Sequence, residues 1–262
     1  MLSMKDGRTF LAGFLLALAC FKFHLALTIA FFVLCLPGKW RGVAGLVSGG
    51  AVVGGISLAI VGPEIFHDYP AMLRSQSVMT PWGFIPWFMP NLRGILQWAL
   101  APRLDIGAIL PFIFMSSAIV GVVATWLVLR GRTQDESLLY SVSILTTILI
   151  SYHLHIQDLS MAVLPMLVLA ERVLSEWFKR KAAAHELERA QPSTIWTVLL
   201  AVTIGALYLY RVAGEAFPIL VLRGCLLAVP IFVLWVIALR FWCAPSAAAT
   251  EEKYISCAAG QN

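Results

Sequence analysis

Two ionisable side chains, Lys22 and His24, interrupt the apolar run at 10–36. A charge at membrane depth is costly and usually belongs to a functional site, and a lysine ammonium is a good partner for a phosphate. A simpler interpretation places Lys22 at the tip of a helical hairpin, from which it extends to the lipid headgroups. The pair therefore predicts either an anion-binding tip that faces an external cavity or a snorkelling lysine.

A second polar cluster, formed by His153, His155 and Asp158, occurs in the string SYHLHIQD. If a helix begins near Ile156, Asp158 lies in its first turn, where the helix dipole favours a carboxylate. Three uses fit this pattern: a polar turn that caps the helix, hydrogen bonding to a polar substrate, and a metal site. Two histidines and an aspartate can ligate zinc, but no further ligand is evident in the sequence, so a divalent metal is not indicated.

The segment 63–105 lacks a long apolar run, and loops of this length are often functional. Its aromatic residues indicate either a membrane-interface belt or a sugar-binding face, and its arginines suit a phosphate. The residues concerned are Trp82, Phe84, Trp87, Phe88, Trp98, Arg74, Arg93 and Arg103, together with Glu64, His67, Asp68 and Asn91.

These clusters lie in a chain with the composition of a polytopic membrane protein. Of its 262 residues, 60% are apolar and 13% are charged, and its mean hydropathy is +0.85; a soluble domain carries about a quarter charged residues. The net charge of +5 is interpreted as membrane topology rather than nucleic-acid binding. The five cysteines show no metal-binding spacing and are predicted to serve as small apolar residues.

Apolar runs that match a bilayer core of about 30 Å predict an all-α bundle with about six spanning helices and an N-terminal re-entrant or hairpin pair. The pair is predicted at about 9–21 and 23–36, and the spanning helices at about 42–62, 106–130, 137–151, 157–176, 195–213 and 219–243. They form one transmembrane domain over 1–243, with an external loop at 63–105, a cytoplasmic loop at 177–194 and a disordered cytoplasmic tail at 244–262. Close helix packing is predicted at Gly49, Gly50, Gly54 and Gly55.

Charged residues at the loop ends predict the orientation, because basic residues collect in cytoplasmic loops. The run at 10–36 is flanked by Lys5 and Arg8 on one side and by Lys39 and Arg41 on the other. Both flanks are therefore predicted to be cytoplasmic, which requires a hairpin with its tip outside. The tip, the loop at 63–105 and the string SYHLHIQD then all reach the non-cytoplasmic face, as the parts of a single site would.

Four strings occur in a recognisable order: FKFHLAL (21–27), PGKWR (37–41), MPNLRGIL (89–96) and SYHLHIQDLSMAVLP (151–165). The first two resemble the AFKPHLxL…RRRW block of the membrane glycosyltransferases of family 87 (GT87, the DUF2029 group). The third is similar to a loop motif of that family, and the fourth resembles its SPHxHxYDLxLLLLP block. Phe23 stands where the family has proline, and Gln157 where it often has tyrosine.

The resemblance implies the GT-C fold and transfer of a hexose, typically mannose, from a polyprenyl-phosphate sugar to an acceptor on the outer face of a bacterial-type inner (plasma) membrane. It implies no metal or other cofactor, and its implied partners are membrane lipids and the lipid-linked sugar donor. By position in the motifs, phosphate or substrate binding is expected of Lys22, His24, Asn91, Arg93, His153 and His155. Asp68 and Asp158 are the candidate catalytic carboxylates.

The resemblance covers the C-terminal half to two thirds of such an enzyme. Family members carry several helices and an acidic first external loop ahead of the FKPH block, so a missing N-terminal half or a partner chain is expected. Asp68 or Glu64 would then replace the usual carboxylate. Two alternatives stay open: a catalytically inactive lipid-binding or partner subunit, and a small transporter, which intramembrane charges favour although no internal repeat supports it.

Overall fold

The computed structural model describes residues 8–18, 40–64, 66–68, 70–71, 89–131, 135–152, 154, 156–184, 198–205 and 224–244. The helices are α1 (Thr9–Leu18), α2 (Trp40–Val61), α3 (Leu92–Leu100), α4 (Ile106–Arg130), α5 (Glu136–Ile150), α6 (Val163–Ala184) and α7 (Ala228–Cys243). Short 3-10 helices at Ile156–Ala162 and Gly224–Leu227 precede α6 and α7, and 198–205 is also helical. No strand occurs in these ranges, so the predicted all-α class is confirmed.

Three described helices are long and apolar enough to cross a membrane: Trp40–Val61, Gly107–Arg130 and Cys225–Cys243. At about 1.5 Å per residue, the 25 residues of α4 extend about 37 Å, which exceeds the hydrocarbon core. Large apolar side chains such as Phe112 and Val122 are exposed along α4. An apolar exposed surface on so long a helix is what contact with lipid requires, and the chain is a membrane protein.

The core of the protein surrounds α5, which contacts α4, α6 and α7 and is buried from Ser141 to Leu149. Its hydroxyl groups are satisfied within the helix, because Ser143, Thr146 and Thr147 each donate to the carbonyl four residues earlier at 2.7 Å. Buried polar groups need such partners where water is absent. Thr146 also accepts a hydrogen bond of 2.9 Å from the Trp235 indole of α7, which ties the two helices together.

The helices around α5 share two well-defined ends. At one end Asp135 caps α5 and pairs with Arg172 of α6, while the Trp242 indole donates to the Val128 carbonyl at 3.1 Å. The starts of α4, α6 and α7 and the end of α5 therefore lie together at the opposite end. The short helix α3 contacts α4, α5, α7 and the 3-10 helix that precedes α7. We call this end, where α3 lies, the α3 end.

Helices α1 and α2 pack closely and run parallel to each other. A Cβ at Gly45 would overlap the Phe10 carbonyl, whereas one at Gly49 would lie 2.7 Å from the Ala17 Cβ, so the contacts advance along both helices in the same direction. The end of α1 and the start of α2 are thus at opposite ends of the pair, as the predicted hairpin requires. The second arm at 23–36 lies outside the described residues.

Only part of the predicted glycine packing occurs. Gly49 contacts α1, but a Cβ at Gly50, Gly54 or Gly55 would meet nothing within 4 Å. The contact face instead uses Gly42 and Gly45, which lie on the same face of the helix as Gly49. The helix then ends at Gly62, whose φ of +93° is a conformation that favours glycine at a helix C-terminus.

Two predicted boundaries differ from the structure. The external loop at 63–105 contains α3 and a short α-helical stretch at 66–68. The helix predicted at 157–176 begins as a 3-10 helix at Ile156 and continues as α6 to Ala184, through the start of the predicted cytoplasmic loop. From Ile156 to Arg172 this segment already extends about 29 Å, so its remaining turns project beyond the bundle end. The tail at 245–262 lies outside the described residues.

Candidate functional site

Asn91 joins α3 to the end of α5. It is fully buried and is the N-cap of α3, where its side-chain oxygen accepts a hydrogen bond of 3.0 Å from the Gly94 amide. Its side-chain nitrogen donates to the Ser151 carbonyl at 2.7 Å. Carbonyls at a helix C-terminus lack intrahelical partners, so one asparagine satisfies groups at the ends of two helices.

Arg93 is the second residue of α3 and contacts the chain just after the end of α5. Its Nη1 donates to the Tyr152 carbonyl at 2.9 Å, and its guanidinium carbon lies 3.9 Å from the centre of the Tyr152 ring. Tyr152 in turn stacks on Phe114 of α4, with ring centroids 5.7 Å apart and planes at 3°. Arg93, Tyr152 and Phe114 thus form a column that links α3 and α4 across the end of α5.

The Arg93 charge is buried without a carboxylate beside it. The residue is 2% exposed, and no ion pair joins it to any described acidic residue. Burial lowers the pKa of the guanidinium, and the Tyr152 phenol acts in the opposite direction. An arginine nevertheless stays protonated in proteins. Among the described residues, this buried cation at the α3 end contacts a carbonyl dipole and an aromatic face but no carboxylate.

Three polar atoms near this cation have no hydrogen-bond partner in the described part of the chain. They are Nε of Arg93 and both side-chain polar atoms of Gln97, which is 3% exposed. The two residues are four positions apart on α3, a spacing that places them on the same helix face about 5–6 Å apart at Cβ. A ligand with oxygen atoms could satisfy these groups.

The 151–158 string lies at this end of the bundle, and part of it is described. The prediction of a helix start at Ile156 is confirmed, because a 3-10 helix begins there with Asp158 in its first turn. Asp158 is 8% exposed and interacts with a neighbour. His153 and His155 lie outside the described residues. Asn91 and Arg93 hold the backbone immediately before them.

The other candidate carboxylate, Asp68, has a different environment. It lies in the short helical stretch 66–68 after α2, its side chain is 76% exposed, and its oxygen lies 3.1 Å from Nδ1 of His67, which is 90% exposed. Glu64 is also exposed. These residues share water-accessible surroundings, whereas Asp158 is enclosed by protein.

Lys22 and His24 lie outside the described residues, so their predicted anion-binding role stays a prediction. Within the described ranges, no group of three His, Cys, Asp or Glu side chains could hold a metal ion. The described site is therefore composed of Asn91, Arg93 and Gln97 together with Ser151, Tyr152 and Asp158.

A model of glycosyltransferase family 87 matches residues 1–151, more than half of the chain. The chain belongs to glycosyltransferase family 87. The match confirms the resemblance to this family and spans the first three strings, with Asn91 and Arg93, but ends at the first residue of the fourth. Comparison with curated proteins gives no match, and neither does comparison with solved structures. Family membership indicates a membrane glycosyltransferase.

Three residues of this site were not predicted from the sequence as site residues: Gln97, Tyr152 and Phe114. Gln97 would have been found if α3 had been predicted, because it lies one turn after Arg93 on the face that also contains Gly94. An Asn-x-x-Gly start is the signal for that helix, since asparagine is a preferred N-cap. No sequence signal indicates the Tyr152–Phe114 stack, which depends on the antiparallel packing of α4 and α5.

Proposed function

We propose that this protein transfers a hexosyl group, with mannose as the first candidate, from a polyprenyl-phosphate sugar to an acceptor hydroxyl at the α3 end. The observation that carries the proposal is the buried Arg93 guanidinium, which has no described acidic partner. A buried charge is costly unless it is paired. The phosphate of a lipid-linked sugar would supply the missing negative charge, and a guanidinium suits phosphate geometry.

The transfer needs a base and a stabilised leaving group. The acceptor oxygen attacks the anomeric carbon of the sugar, the bond from that carbon to the phosphate oxygen breaks, and polyprenyl phosphate leaves with the bonding electrons. A carboxylate takes the proton of the acceptor hydroxyl, and Arg93 balances the charge that develops on the phosphate. Asp158 suits the base better than Asp68, because it is buried at the α3 end whereas Asp68 is open to solvent.

Basic residues support an orientation with the α3 end on the non-cytoplasmic face. Arg130 and Arg240 occupy the last turns of α4 and α7, at the end opposite α3. The projecting part of α6 adds Lys179, Arg180 and Lys181 beyond that same end. By the positive-inside rule this end is cytoplasmic, so transfer would take place on the outer face of a bacterial-type inner membrane.

The test uses the full chain, reconstituted in phosphatidylcholine nanodiscs with radiolabelled polyprenyl-phosphate mannose and a bacterial lipid extract as acceptor. We expect transfer by the wild type, a loss of about 10²–10⁴-fold in Asp158→Asn and a loss of about 10²–10³-fold in Arg93→Met. Arg130→Met is the matched control, because Arg130 also stacks on an aromatic ring, Trp126, at 4.3 Å but lies at the opposite end.

The outcome separates the candidate functions. Undiminished transfer in both Asp158→Asn and Lys22→Met would contradict the assigned site. Tight binding of the labelled lipid by the wild type with no transfer to any acceptor in the extract would favour the alternative, a lipid-binding or partner subunit of the same family. The binding would then still depend on Arg93, because the buried cation is the same in both cases.

A further inference from the structure

Gln97 is a buried amide without a described hydrogen-bond partner. It is 3% exposed, and both its side-chain oxygen and its side-chain nitrogen are unpaired in the described part of the chain. Leaving a buried donor or acceptor unsatisfied costs about 1–3 kcal/mol each. A leucine or methionine would fill a helix position of this kind at no such cost, so a structural role in packing does not account for the amide.

The neighbouring amide on α3, that of Asn91, is hydrogen-bonded at both polar atoms, unlike that of Gln97. Asn91, on the same helix, uses both ends of its amide. Gly94 lies between the two positions and packs so closely that an added Cβ would approach the Cys225 Cβ to 3.0 Å. The helix is therefore held firmly against the bundle, and within α3 the buried side-chain atoms that lack a partner among the described residues belong to Arg93 and Gln97, one turn apart.

The unpaired atoms define the chemistry of a ligand. Nε of Arg93 and the Gln97 nitrogen are hydrogen-bond donors, of which the first carries a positive charge, whereas the Gln97 oxygen is an acceptor. A ligand that satisfies all three must present anionic oxygens and, next to them, a hydroxyl group that donates. Inorganic phosphate supplies the anionic oxygens but has no sugar hydroxyl beside them, and an uncharged sugar supplies only the hydroxyl.

We propose that Arg93 and Gln97 form a subsite for a phosphate with a neighbouring sugar hydroxyl, in which the Gln97 side-chain oxygen accepts a hydrogen bond from that hydroxyl. This rests on the proposed function, and it adds a residue that selects the glycosyl phosphate over the phosphate alone. Both side chains are almost fully buried, so neighbouring protein atoms must move when the ligand binds. Binding should then change the hydrogen exchange of 89–100.

The experiment measures binding of three soluble probes to the full chain in phosphatidylcholine nanodiscs: α-mannose 1-phosphate, inorganic phosphate and methyl mannoside. We expect the wild type to bind mannose 1-phosphate most tightly and to show altered exchange in 89–100. Gln97→Met should weaken mannose 1-phosphate binding about tenfold, the effect of roughly one lost hydrogen bond to a ligand, and should weaken phosphate binding less, because phosphate lacks the sugar hydroxyl. Arg93→Lys should weaken the binding of both anions. Leu96→Met, which introduces the same residue at the adjacent, partly exposed position, should change neither.

A stability measurement distinguishes a ligand subsite from a buried amide whose polar atoms bind only water. Without ligand, Gln97→Met should raise the midpoint of thermal unfolding, because an unsatisfied polar group is replaced by an apolar one of similar size. A higher midpoint with unchanged mannose 1-phosphate binding would overturn the proposal, as would equal wild-type affinity for mannose 1-phosphate and phosphate. Displacement of mannose 1-phosphate by phosphatidylglycerol would assign the subsite to bulk lipid headgroups and would overturn it too.

The subsite and the proposed function can fail separately. If the wild type transfers mannose and Gln97→Met transfers it equally well at limiting sugar donor, the subsite is wrong and the function stands. If no transfer is detected but mannose 1-phosphate binding depends on Gln97 as described, the proposed subsite stands and the proposed transferase activity is wrong.

Discussion

Replacement of Asn91 by alanine should destabilise the protein more than the loss of an ordinary helix cap. The substitution removes the cap on the Gly94 amide, which is worth about 1 kcal/mol. It also removes the 2.7 Å bond to the Ser151 carbonyl at a fully buried position, and a lost buried partner costs about 1–3 kcal/mol. We therefore expect the free energy of unfolding to fall by about 2–4 kcal/mol.

The measurement is unfolding of the purified protein in mixed micelles of rising SDS content, followed by circular dichroism. Asp105→Ala is the control, because Asp105 caps α4 through a single bond of 3.0 Å to Ala108 in an exposed setting, so its loss should cost about 1 kcal/mol. Asn91→Asp keeps the cap acceptor but cannot donate to Ser151, and should be destabilised as well. Equal losses in Asn91→Ala and Asp105→Ala would refute the inference that Asn91 couples α3 to α5.

Two further predictions concern the helix contacts. Gly45→Leu should separate α1 from α2 and lower the unfolding midpoint, because a side chain there would overlap the backbone of α1. Gly50→Leu is the control and should be tolerated, because a side chain at Gly50 enters open space. Equal effects of the two substitutions in the same SDS titration would contradict this packing. Thr146→Val should cost about 1–3 kcal/mol by leaving the Trp235 indole unpaired and should shift the Trp235 fluorescence. Thr147→Val is the matched control, because its hydroxyl bonds only within α5; an identical cost for the two would contradict the interhelical bond.

The helices that could be predicted from the sequence are those whose buried and lipid-facing surfaces are apolar. The prediction of 106–130 matches α4 at both bounds, because Asp105 supplies an N-cap before the apolar run and Gly131 follows its end. Helix α3 could not be recognised in this way. Its buried face consists of Arg93, Gly94 and Gln97, so the usual signal, an apolar stripe that faces the core, is absent.

The candidate site was predicted as a set of positions but not as a set of contacts. The distribution of basic residues predicts that the loop at 63–105 and the string SYHLHIQD lie on one face. In the structure, Asn91 and Arg93 of that loop contact Ser151 and Tyr152. The side chains of both residues donate hydrogen bonds to backbone carbonyls. The sequence cannot indicate such contacts, because every residue has the same carbonyl and only the fold determines which ones a helix end leaves unpaired.

Arg93 can both hold the end of α5 and bind an anion because its guanidinium has five donors in a fixed plane. Nη1 donates to the Tyr152 carbonyl, the flat face lies on the Tyr152 ring, and Nε has no hydrogen-bond partner in the described part of the chain. A lysine at this position would keep the charge but would have one nitrogen for both tasks. The positioning contact and the anion contact would then compete. The proposed anion contact therefore requires an arginine at position 93, and Arg93→Lys is the substitution in which the contact with α5 and the proposed ligand contact compete.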